Sequence, residues 1–299
     1  MSAASSASSL PGASTRLFGV LGHPIRHSLS PALHNAAFRA GGRDAVYLAF
    51  DVPAESGATV LRGLAALGAG GANLTAPLKR VAHEICEERT DAARVAGAVN
   101  TVRFTGGRIA GENTDGAGFV RFLERSGMPV RGKRVALLGA GGAAAGLVPA
   151  LLDAGAGAIE AVARDPGAAS GRHAAFSGAR AVPVLMWGSE AARASIARAD
   201  RVVQCTPLGS REGDPLPCPA EWLGESAVGI DLLYHPATTP WMRSLRAIGR
   251  RAANGLGLLI EQAMLAQAFW FGEEPPRSAL EGAVRWSDPF AAEAARPVG

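Results

Sequence analysis

A glycine-rich turn in the middle of the chain constrains the fold more than any other feature of the sequence. The turn is the run Gly139-Ala140-Gly141-Gly142-Ala143-Ala144. An apolar stretch at 135–138 precedes it, and a helix-like stretch that ends near 153 follows it. This order fits the pattern G-x-G-x-x-G/A, in which glycines allow a tight turn and a close approach of the backbone to a pyrophosphate at a helix N-terminus. A simple glycine turn in an alanine-rich protein is the alternative, and the strand–turn–helix context favours dinucleotide binding.

The segments on both sides of this turn alternate between strand-like and helix-like patterns. Strands are predicted over 16–21, 45–50, 71–74, 98–104, 108–111, 134–138, 158–163, 180–184, 200–204 and 227–231, with a hairpin joining the fourth and fifth. Helices are predicted from Ser30 to the glycines at 41–42, over 54–67, 77–89 and 115–126, from the glycine turn to 153, and over 257–271 and 276–284. Such alternation predicts parallel sheets that are covered by helices on both faces.

The position of the turn predicts a two-domain α/β protein, and the length of 299 residues fits that number. Because a complete α/β unit precedes the turn, we expect an N-terminal α/β substrate domain over 16–114, joined by the C-terminal helices at 256–299. A Rossmann-like NAD(P)-binding domain is predicted over 115–255. The serine- and alanine-rich residues 1–15 are predicted to be a disordered tail.

The composition excludes several kinds of partner. The net charge of +4 is spread as single arginines, which does not indicate a nucleic-acid-binding surface. No apolar stretch has the length of a membrane span. The 3 cysteines show no metal-ligand spacing, so we expect free thiols in a reducing compartment, the cytoplasm. The histidines show no ligand pattern either, and no metal site is predicted.

Lys79 is the first candidate catalytic residue. It follows the predicted strand at 71–74 and the sequence Thr75-Ala76-Pro77-Leu78, and Pro77 suits the first turn of a helix. The helix dipole disfavours a positive charge at that end, so a lysine there needs a reason other than stability. Proton transfer near neutral pH is one such reason. A surface lysine that packs its stem on the helix is the alternative.

Asp115 is the second candidate, at the start of the predicted helix 115–126. It is either a helix-capping acid or a carboxylate that pairs with a lysine. Asp115 and Lys79 each begin a helix that follows a strand, and such positions converge at one edge of a parallel sheet. We therefore expect them to form a proton-transfer pair. At a third helix start, Ser28 and Ser30 suit a helix cap and a carboxylate-binding site equally well.

Arg164 and Asp165 follow the predicted strand at 158–163. An NAD-binding fold commonly has an acidic residue at this strand end for the ribose 2′-hydroxyl, whereas an arginine suits a 2′-phosphate. Asp165 could hold Arg164, cap the helix after Pro166 or repel the phosphate. The sequence therefore favours NADP as cofactor, with NAD as the alternative.

Taken together, these motifs resemble the shikimate/quinate dehydrogenase family from about Leu17 to about Phe271. The resemblance is carried by GHPIRHSLSP at 22–31, NLTAPLK at 73–79, GAVNT at 97–101, NTDG at 113–116, GAGGA at 139–143, DLLY at 231–234 and NGLGLL at 254–259, with Gln262. It implies a substrate domain, a Rossmann domain and a C-terminal helix that returns to the first domain. It also implies reversible, NADPH-dependent reduction of 3-dehydroshikimate to shikimate, and a monomer or homodimer.

The resemblance assigns roles to residues that the patterns alone leave open. It implies that Lys79 and Asp115 are the catalytic pair. The substrate would contact Ser28, Ser30, Asn73, Thr75, Asn100, Tyr234 and Gln262. The cofactor would contact Gly139, Ala140, Gly141, Gly142, Ala143, Arg164, Thr206, Gly255 and Leu258.

The chain departs from the family pattern beside the cofactor. Many NADP-dependent members carry Asn-Arg-Thr where this chain has Ala163, Arg164 and Asp165, and a basic residue where Ala168 stands. The run 204–206 is Gln-Cys-Thr instead of the commoner Asn-Ala-Thr. The alternatives are therefore an NAD-dependent quinate/shikimate or aminoshikimate dehydrogenase, and a catalytically silent paralogue that binds a ligand.

Overall fold

The structure is a computed structural model that describes residues 10–172, 174–176, 180–211 and 213–286. Residues 1–9 of the predicted tail over 1–15 lie outside the described part of the chain. Within the described part, Ser14 and Thr15 donate hydrogen bonds of 2.8 and 2.6 Å to the Asp44 carboxylate. These two residues therefore contact the first domain.

The first domain is built on a mixed sheet of six strands. They are β1 (Arg16–Gly22), β2 (Ala45–Asp51), β3 (Gly71–Leu74), β4 (Glu88–Arg89), β5 (Thr101–Thr105) and β6 (Arg108–Glu112). Their order is β2-β1-β3-β5-β6-β4. β1 is parallel to β2 and β3, whereas β5 is antiparallel to both β3 and β6. The predicted hairpin is thus confirmed, and β5 is the one antiparallel strand among pairs that are otherwise parallel in this sheet.

Four helices accompany this sheet, and a fifth follows its last strand and packs on the second domain. They are α1 (Ser30–Ala40), α2 (Gly57–Ala66), α3 (Lys79–Ile85), α4 (Asp91–Ala96) and α5 (Asp115–Arg125). The helix predicted over 77–89 is wrong at both ends. Pro77 lies in the turn before α3 with a cis peptide bond, and Glu88–Arg89 pair with Ala110 and Gly111 of β6 as a strand. Pairing with a neighbouring strand has overridden the local helical pattern there.

The second domain has a fully parallel six-stranded sheet. Its strands are β7 (Arg134–Leu138), β8 (Ala158–Ala163), β9 (Val184–Met186), β10 (Arg201–Gln204), β11 (Val228–Asp231) and β12 (Arg251–Ala253). The order β12-β11-β10-β7-β8-β9 is that of the doubly wound dinucleotide-binding fold, with the glycine turn after its first strand, β7. The strand predicted over 180–184 is displaced: β9 begins only at Val184, after Pro183. Val182 is buried but lies before the strand.

The helices of this half complete the fold. They are α6 (Gly142–Asp153), α7 (Pro166–Arg172), α8 (Glu190–Arg198), α9 (Pro240–Ala247), α10 (Leu256–Phe271) and α11 (Arg277–Ala283). α10 returns to the first domain, where the Trp270 indole N–H donates a 2.9 Å hydrogen bond to the Val102 carbonyl. None of the helices in the described ranges is long and apolar enough to cross a membrane.

Helix α5 packs between the two halves of the molecule and contacts both α6 and α10. α5 packs against α6 through Gly116, where a Cβ atom would lie 2.5 Å from the Gly146 carbonyl oxygen. α5 also packs against α10 through Gly118, where a Cβ would lie 3.0 Å from the backbone nitrogen of Gln262. These glycines bring the starts of α5 and α6 to one cleft between the two sheets.

Candidate active site

A cavity of about 290 Å³ lies between the two domains. Its first-domain wall includes Ser28, Ser30, Asn73, Thr75 and Lys79. Asp115 of α5 and Gln262 of α10 also line it, and its second-domain wall includes Ala143, Leu232, Tyr234, Gly255 and Leu258. The cavity thus contains polar groups of the first domain on one side and the start of α6 on the other. This is the place where ligands bind in doubly wound folds.

Lys79 and Asp115 lie together in this cavity, as the sequence predicts. The Lys79 ammonium donates a 2.6 Å hydrogen bond to Asp115 Oδ2. Their side chains are 23% and 14% exposed, so the pair is sheltered and still reachable from the cleft. Lys79 is the first residue of α3, which follows β3, and Asp115 is the first residue of α5, which follows β6. A paired cation and anion at a half-buried surface can pass a proton to and from a bound hydroxyl.

Asn100 lies behind this pair and does not line the cavity. It is 1% exposed, and its amide nitrogen donates to Asp115 Oδ1 at 2.8 Å and to Gln262 Oε1 at 3.3 Å. Its amide oxygen accepts from the Thr114 backbone N–H at 2.8 Å. These contacts hold Asp115 and Gln262 in place, and the substrate contact expected of Asn100 stays a prediction.

Asn73 is oriented by two residues that the sequence analysis missed. The Tyr47 hydroxyl donates to Asn73 Oδ1 at 2.8 Å, and the Asn73 amide nitrogen donates to Thr101 Oγ1 at 2.9 Å. Tyr47 is fully buried, and burial raises its pKa well above the usual value. Tyr47 and Thr101 both belong to predicted strands. Thr101 ends the motif at 97–101, whereas no local signal distinguishes Tyr47 from an ordinary core residue.

Ser28, Ser30 and Tyr234 form the end of the cavity. α1 begins at Ser30 itself, its N-cap is Leu29, and no side chain caps it. The helix-cap alternative for Ser30 is therefore wrong. Ser28 Oγ accepts a 3.3 Å hydrogen bond from the Ser30 N–H. Tyr234 reaches Ser28 and Leu29 from the second domain, and burial raises the pKa of its hydroxyl.

A groove of about 760 Å³ continues along the second domain from the glycine turn. Gly139, Ala140, Gly141, Arg164 and Thr206 line it, whereas Ala143, Gly255 and Leu258 line the cavity with Lys79. Gly142, the first residue of α6, lies between the two sets. The predicted cofactor residues therefore follow one path from the groove to the catalytic pair.

The glycine turn has the shape that a pyrophosphate requires. Gly139 has φ +110°, and a Cβ there would lie 2.7 Å from Thr206 Cγ2. Cβ atoms at Gly141 and Gly142 would meet nothing within 4 Å, and no side chain caps α6. The first N–H groups of α6 are thus open to an anion, and a dinucleotide fits this cradle.

The structure shows the contacts of Asp165 and Gln204, whose roles the sequence leaves open. Asp165 Oδ1 accepts a 2.8 Å hydrogen bond from the Ala168 N–H, so Asp165 caps α7. Gln204 Oε1 accepts from the Thr206 N–H at 2.9 Å and from the Thr206 hydroxyl at 2.8 Å. Gln204 thereby folds the turn that brings Thr206 against Gly139.

Thiol and metal chemistry have no support at this site. Cys86, Cys205 and Cys218 are free. Burial raises the pKa of Cys205, which lies in the groove, and raises that of Cys86 and Cys218 to about 12. In the part of the chain that the structure describes, no group of three or more His, Cys, Asp or Glu side chains could hold a metal ion.

Fold and site together define a class of protein. A doubly wound domain with an open pyrophosphate cradle meets a lysine–carboxylate pair across a cleft, which is the arrangement of a nicotinamide-dependent oxidoreductase that acts on a hydroxyl group.

Comparisons with known proteins narrow this class to one family. The family model for the shikimate dehydrogenase substrate binding domain matches residues 20–102. A protein from Moorella thermoacetica named shikimate dehydrogenase (NADP(+)) is 40% identical over 276 residues, which are 91% of this chain and 94% of that protein.

Solved structures agree with the family model. Shikimate dehydrogenase from Aquifex aeolicus has a TM-score of 0.83 at 32% identity, with coverage of 93% of this chain and 100% of that one. Shikimate 5-dehydrogenase from Thermus thermophilus, in complex with NADP(H) and shikimate, has a TM-score of 0.79 at 33% identity, with coverage of 90% and 98%. The chain belongs to the shikimate dehydrogenase family and is an oxidoreductase that acts on a CH–OH group. The family resemblance and the two-domain fold class are thereby confirmed.

Proposed function

We propose that this protein catalyses the reversible, NADPH-dependent reduction of 3-dehydroshikimate to shikimate. The observation that carries the proposal is the Lys79–Asp115 pair, which faces the end of the cofactor path in one cavity. The nicotinamide supplies the hydride in the reductive direction and accepts it in the other. NADP is the cofactor named for the Moorella relative, and NADP(H) is bound in the Thermus structure.

Lys79 is the proton carrier in this proposal. In the reductive direction its ammonium donates a proton to the oxygen at C3 of the substrate as that oxygen gains negative charge. In the oxidative direction the neutral amine takes the proton back. Asp115 Oδ2 accepts a 2.6 Å hydrogen bond from Lys79 Nζ and holds it towards the cavity, and Asn100 fixes the other carboxylate oxygen.

The remaining polar groups of the cavity bind the substrate. Ser28 and Ser30, with the Tyr234 hydroxyl nearby, suit the carboxylate, because hydroxyl groups donate hydrogen bonds to an anion. Asn73, Thr75 and Gln262 suit the ring hydroxyls, because amide and hydroxyl side chains both donate and accept.

The proposal is tested by Lys79→Ala, with Lys133→Ala as the matched control. Lys133 is the chain's other lysine, is half exposed and pairs at 3.6 Å with Asp200, away from the cleft. We expect Lys79→Ala to lower kcat by about 10²- to 10⁴-fold, the range for a general acid–base group. Shikimate binding, measured by calorimetry, should persist, and Lys133→Ala should behave as the wild type. A wild-type kcat in Lys79→Ala would contradict the role of Lys79 as the proton carrier.

A rate matrix tests the substrate and the cofactor. Initial rates are measured by nicotinamide absorbance for shikimate and quinate, each with NADP and with NAD. We expect the highest kcat/KM for shikimate with NADP. A higher value for quinate or for NAD would favour the alternative dehydrogenases, and tight shikimate binding without hydride transfer to either cofactor would favour a silent paralogue.

We also propose the finer organisation of the protein. The substrate domain comprises 16–114 and 256–299, and the Rossmann domain comprises 115–255. The protein is a monomer or a homodimer in this proposal. The free cysteines suit the reducing environment of the cytoplasm.

A further inference from the structure

Arg172 lies in the cofactor groove, and none of the expectations above gives it a role. We propose that Arg172, at the end of α7, binds the 2′-phosphate of NADP together with Arg164 and thereby selects NADP over NAD. Both arginines line the groove that begins at the glycine turn. The inference rests on the proposed use of NADP and identifies a specificity-determining residue of that site.

One face of α7 is turned to the groove. The residues of this segment that line it are Asp165, Ala168, Ala169 and Arg172. Their spacing of three, four and seven residues places them in a single row along a helix. Arg172 is therefore on the same face as the cap residue Asp165, which adjoins Arg164 at the end of β8.

From its place on α7, the side chain of Arg172 can extend along this row towards Arg164. Side chains on a helix lean towards its N-terminus, and four residues correspond to about 6 Å of rise. Ala168, one turn earlier, presents only a methyl group, so it leaves the path open for a long side chain. A guanidinium starting at position 172 can thus reach the level of position 168.

The charges in the groove favour an anion at this end. Arg164 and Arg172 are both exposed, and neither forms an ion pair or a side-chain hydrogen bond with any described residue. Asp165 is the other charged residue of the lining, and its carboxylate is engaged by the Ala168 N–H. Two guanidinium groups that no described residue pairs suit a phosphate, which they can bind by paired, charge-assisted hydrogen bonds.

The test measures binding instead of turnover. Dissociation constants for NADP⁺, NAD⁺ and 2′,5′-ADP are measured by calorimetry for the wild type, Arg172→Ala, Arg172→Lys and Arg164→Ala. Arg62→Ala is the matched control, because Arg62 is an exposed arginine on a helix of the first domain, away from the groove. Thermal unfolding of each variant confirms that it is folded.

We expect Arg172→Ala to weaken NADP⁺ and 2′,5′-ADP by about 10- to 100-fold, the change that corresponds to losing hydrogen bonds to a charged group. NAD⁺ binding should change less than about twofold, and Arg172→Lys should lie between alanine and wild type. Equal weakening of NAD⁺ and NADP⁺ would place Arg172 on the adenine or pyrophosphate and overturn the proposal. Unchanged NADP⁺ binding would overturn it as well.

The wild-type protein separates this inference from the function on which it rests. If wild type binds NAD⁺ as tightly as NADP⁺, the proposed cofactor is wrong and Arg172 selects nothing. If wild type prefers NADP⁺ and Arg172→Ala keeps that preference, the cofactor stands and only the role of Arg172 fails.

Discussion

Asn100 shows how one buried residue can hold several groups of a site. It is buried, and its amide nitrogen lies within hydrogen-bond distance of Thr114 Oγ1, Asp115 Oδ1 and Gln262 Oε1, the last two of which come from different helices. Its position in the run 97–101 indicates a functional residue, but the run does not say whether it faces the cavity. That distinction depends on which side chains lie in front of it, and they are 15 and 162 residues away along the chain.

Asp231 makes stability depend on pH. It is fully buried at the end of β11, where Oδ2 accepts from the Thr239 hydroxyl at 2.7 Å and Oδ1 from the Leu233 N–H at 3.0 Å. Burial outweighs these hydrogen bonds and raises the pKa of the carboxyl from 3.8 to about 6. The folded state therefore binds the proton more tightly than the unfolded state, and this contribution is complete below pH 3.8 and lost as pH rises through 6.

The variant Asp231→Asn removes this titration. We expect the free energy of unfolding of wild type, minus that of Asp231→Asn, to fall by about 2 kcal/mol between pH 4 and pH 7. Urea unfolding at pH 4, 5, 6 and 7 measures this difference, and groups common to both proteins cancel. A difference that stays constant over this range would contradict a raised pKa at Asp231.

At the scale of elements, α5 and its glycines bring the site together. Asp115 is its first residue, Gly116 faces α6 and Gly118 faces α10. Any side chain at either glycine would push apart helices that carry Asp115, Ala143 and Gln262. The sequence predicts the helix but not these contacts, because a glycine near a helix start is equally typical of local flexibility.

Gly116→Ala tests the close packing of α5 on α6. The added Cβ would lie 2.5 Å from a backbone oxygen, which cannot move without its helix. We expect a loss of about 1–3 kcal/mol in the free energy of unfolding, together with a lower kcat because Asp115 moves with α5.

Gly63→Ala is the matched control for this variant. Gly63 lies inside α2, and a Cβ there would meet nothing within 4 Å. An alanine in such a place should stabilise by about 0.5–1 kcal/mol and leave kcat unchanged. Urea unfolding and initial rates measure both variants. Wild-type stability and kcat in Gly116→Ala would show that α5 and α6 have room to separate.

At the scale of the whole molecule, α10 links the two halves. Its start borders the cofactor path at Gly255 and Leu258, its middle places Gln262 in the cavity, and its end packs Trp270 against the first sheet. Gln267 near that end also contacts His34 of α1 at 3.1 Å. A helix that belongs to both domains should couple their unfolding.

We therefore expect one thermal transition that responds to either ligand. Shikimate or NADP⁺ alone, at about 100 times its dissociation constant, should stabilise the whole protein by about 2.7 kcal/mol. Differential scanning calorimetry should then show a single peak that moves upwards with each ligand. Two peaks, each moved by only one ligand, would show that the domains unfold independently.

The sequence by itself determined most of the elements and the class of chemistry. β3, β7, β8 and α6 begin and end within a residue of their predicted positions, because apolar periodicity and glycine turns are local signals. The glycine turn after β7 also predicted a dinucleotide site, since a motif of this kind carries its own backbone geometry. Where an element is shorter than four residues, as in β4, β9 and β12, local pattern gave too little information.

Only the tertiary structure decided which residues that are distant in sequence contact each other at the site. It paired Lys79 with Asp115, set Asn100 behind them, made Asp165 a helix cap and brought Arg172 into the groove beside Arg164. Each of these outcomes depends on strand order and on the separation of packed helices. Those are set by the burial of side chains from many parts of the chain, which no single segment of sequence encodes.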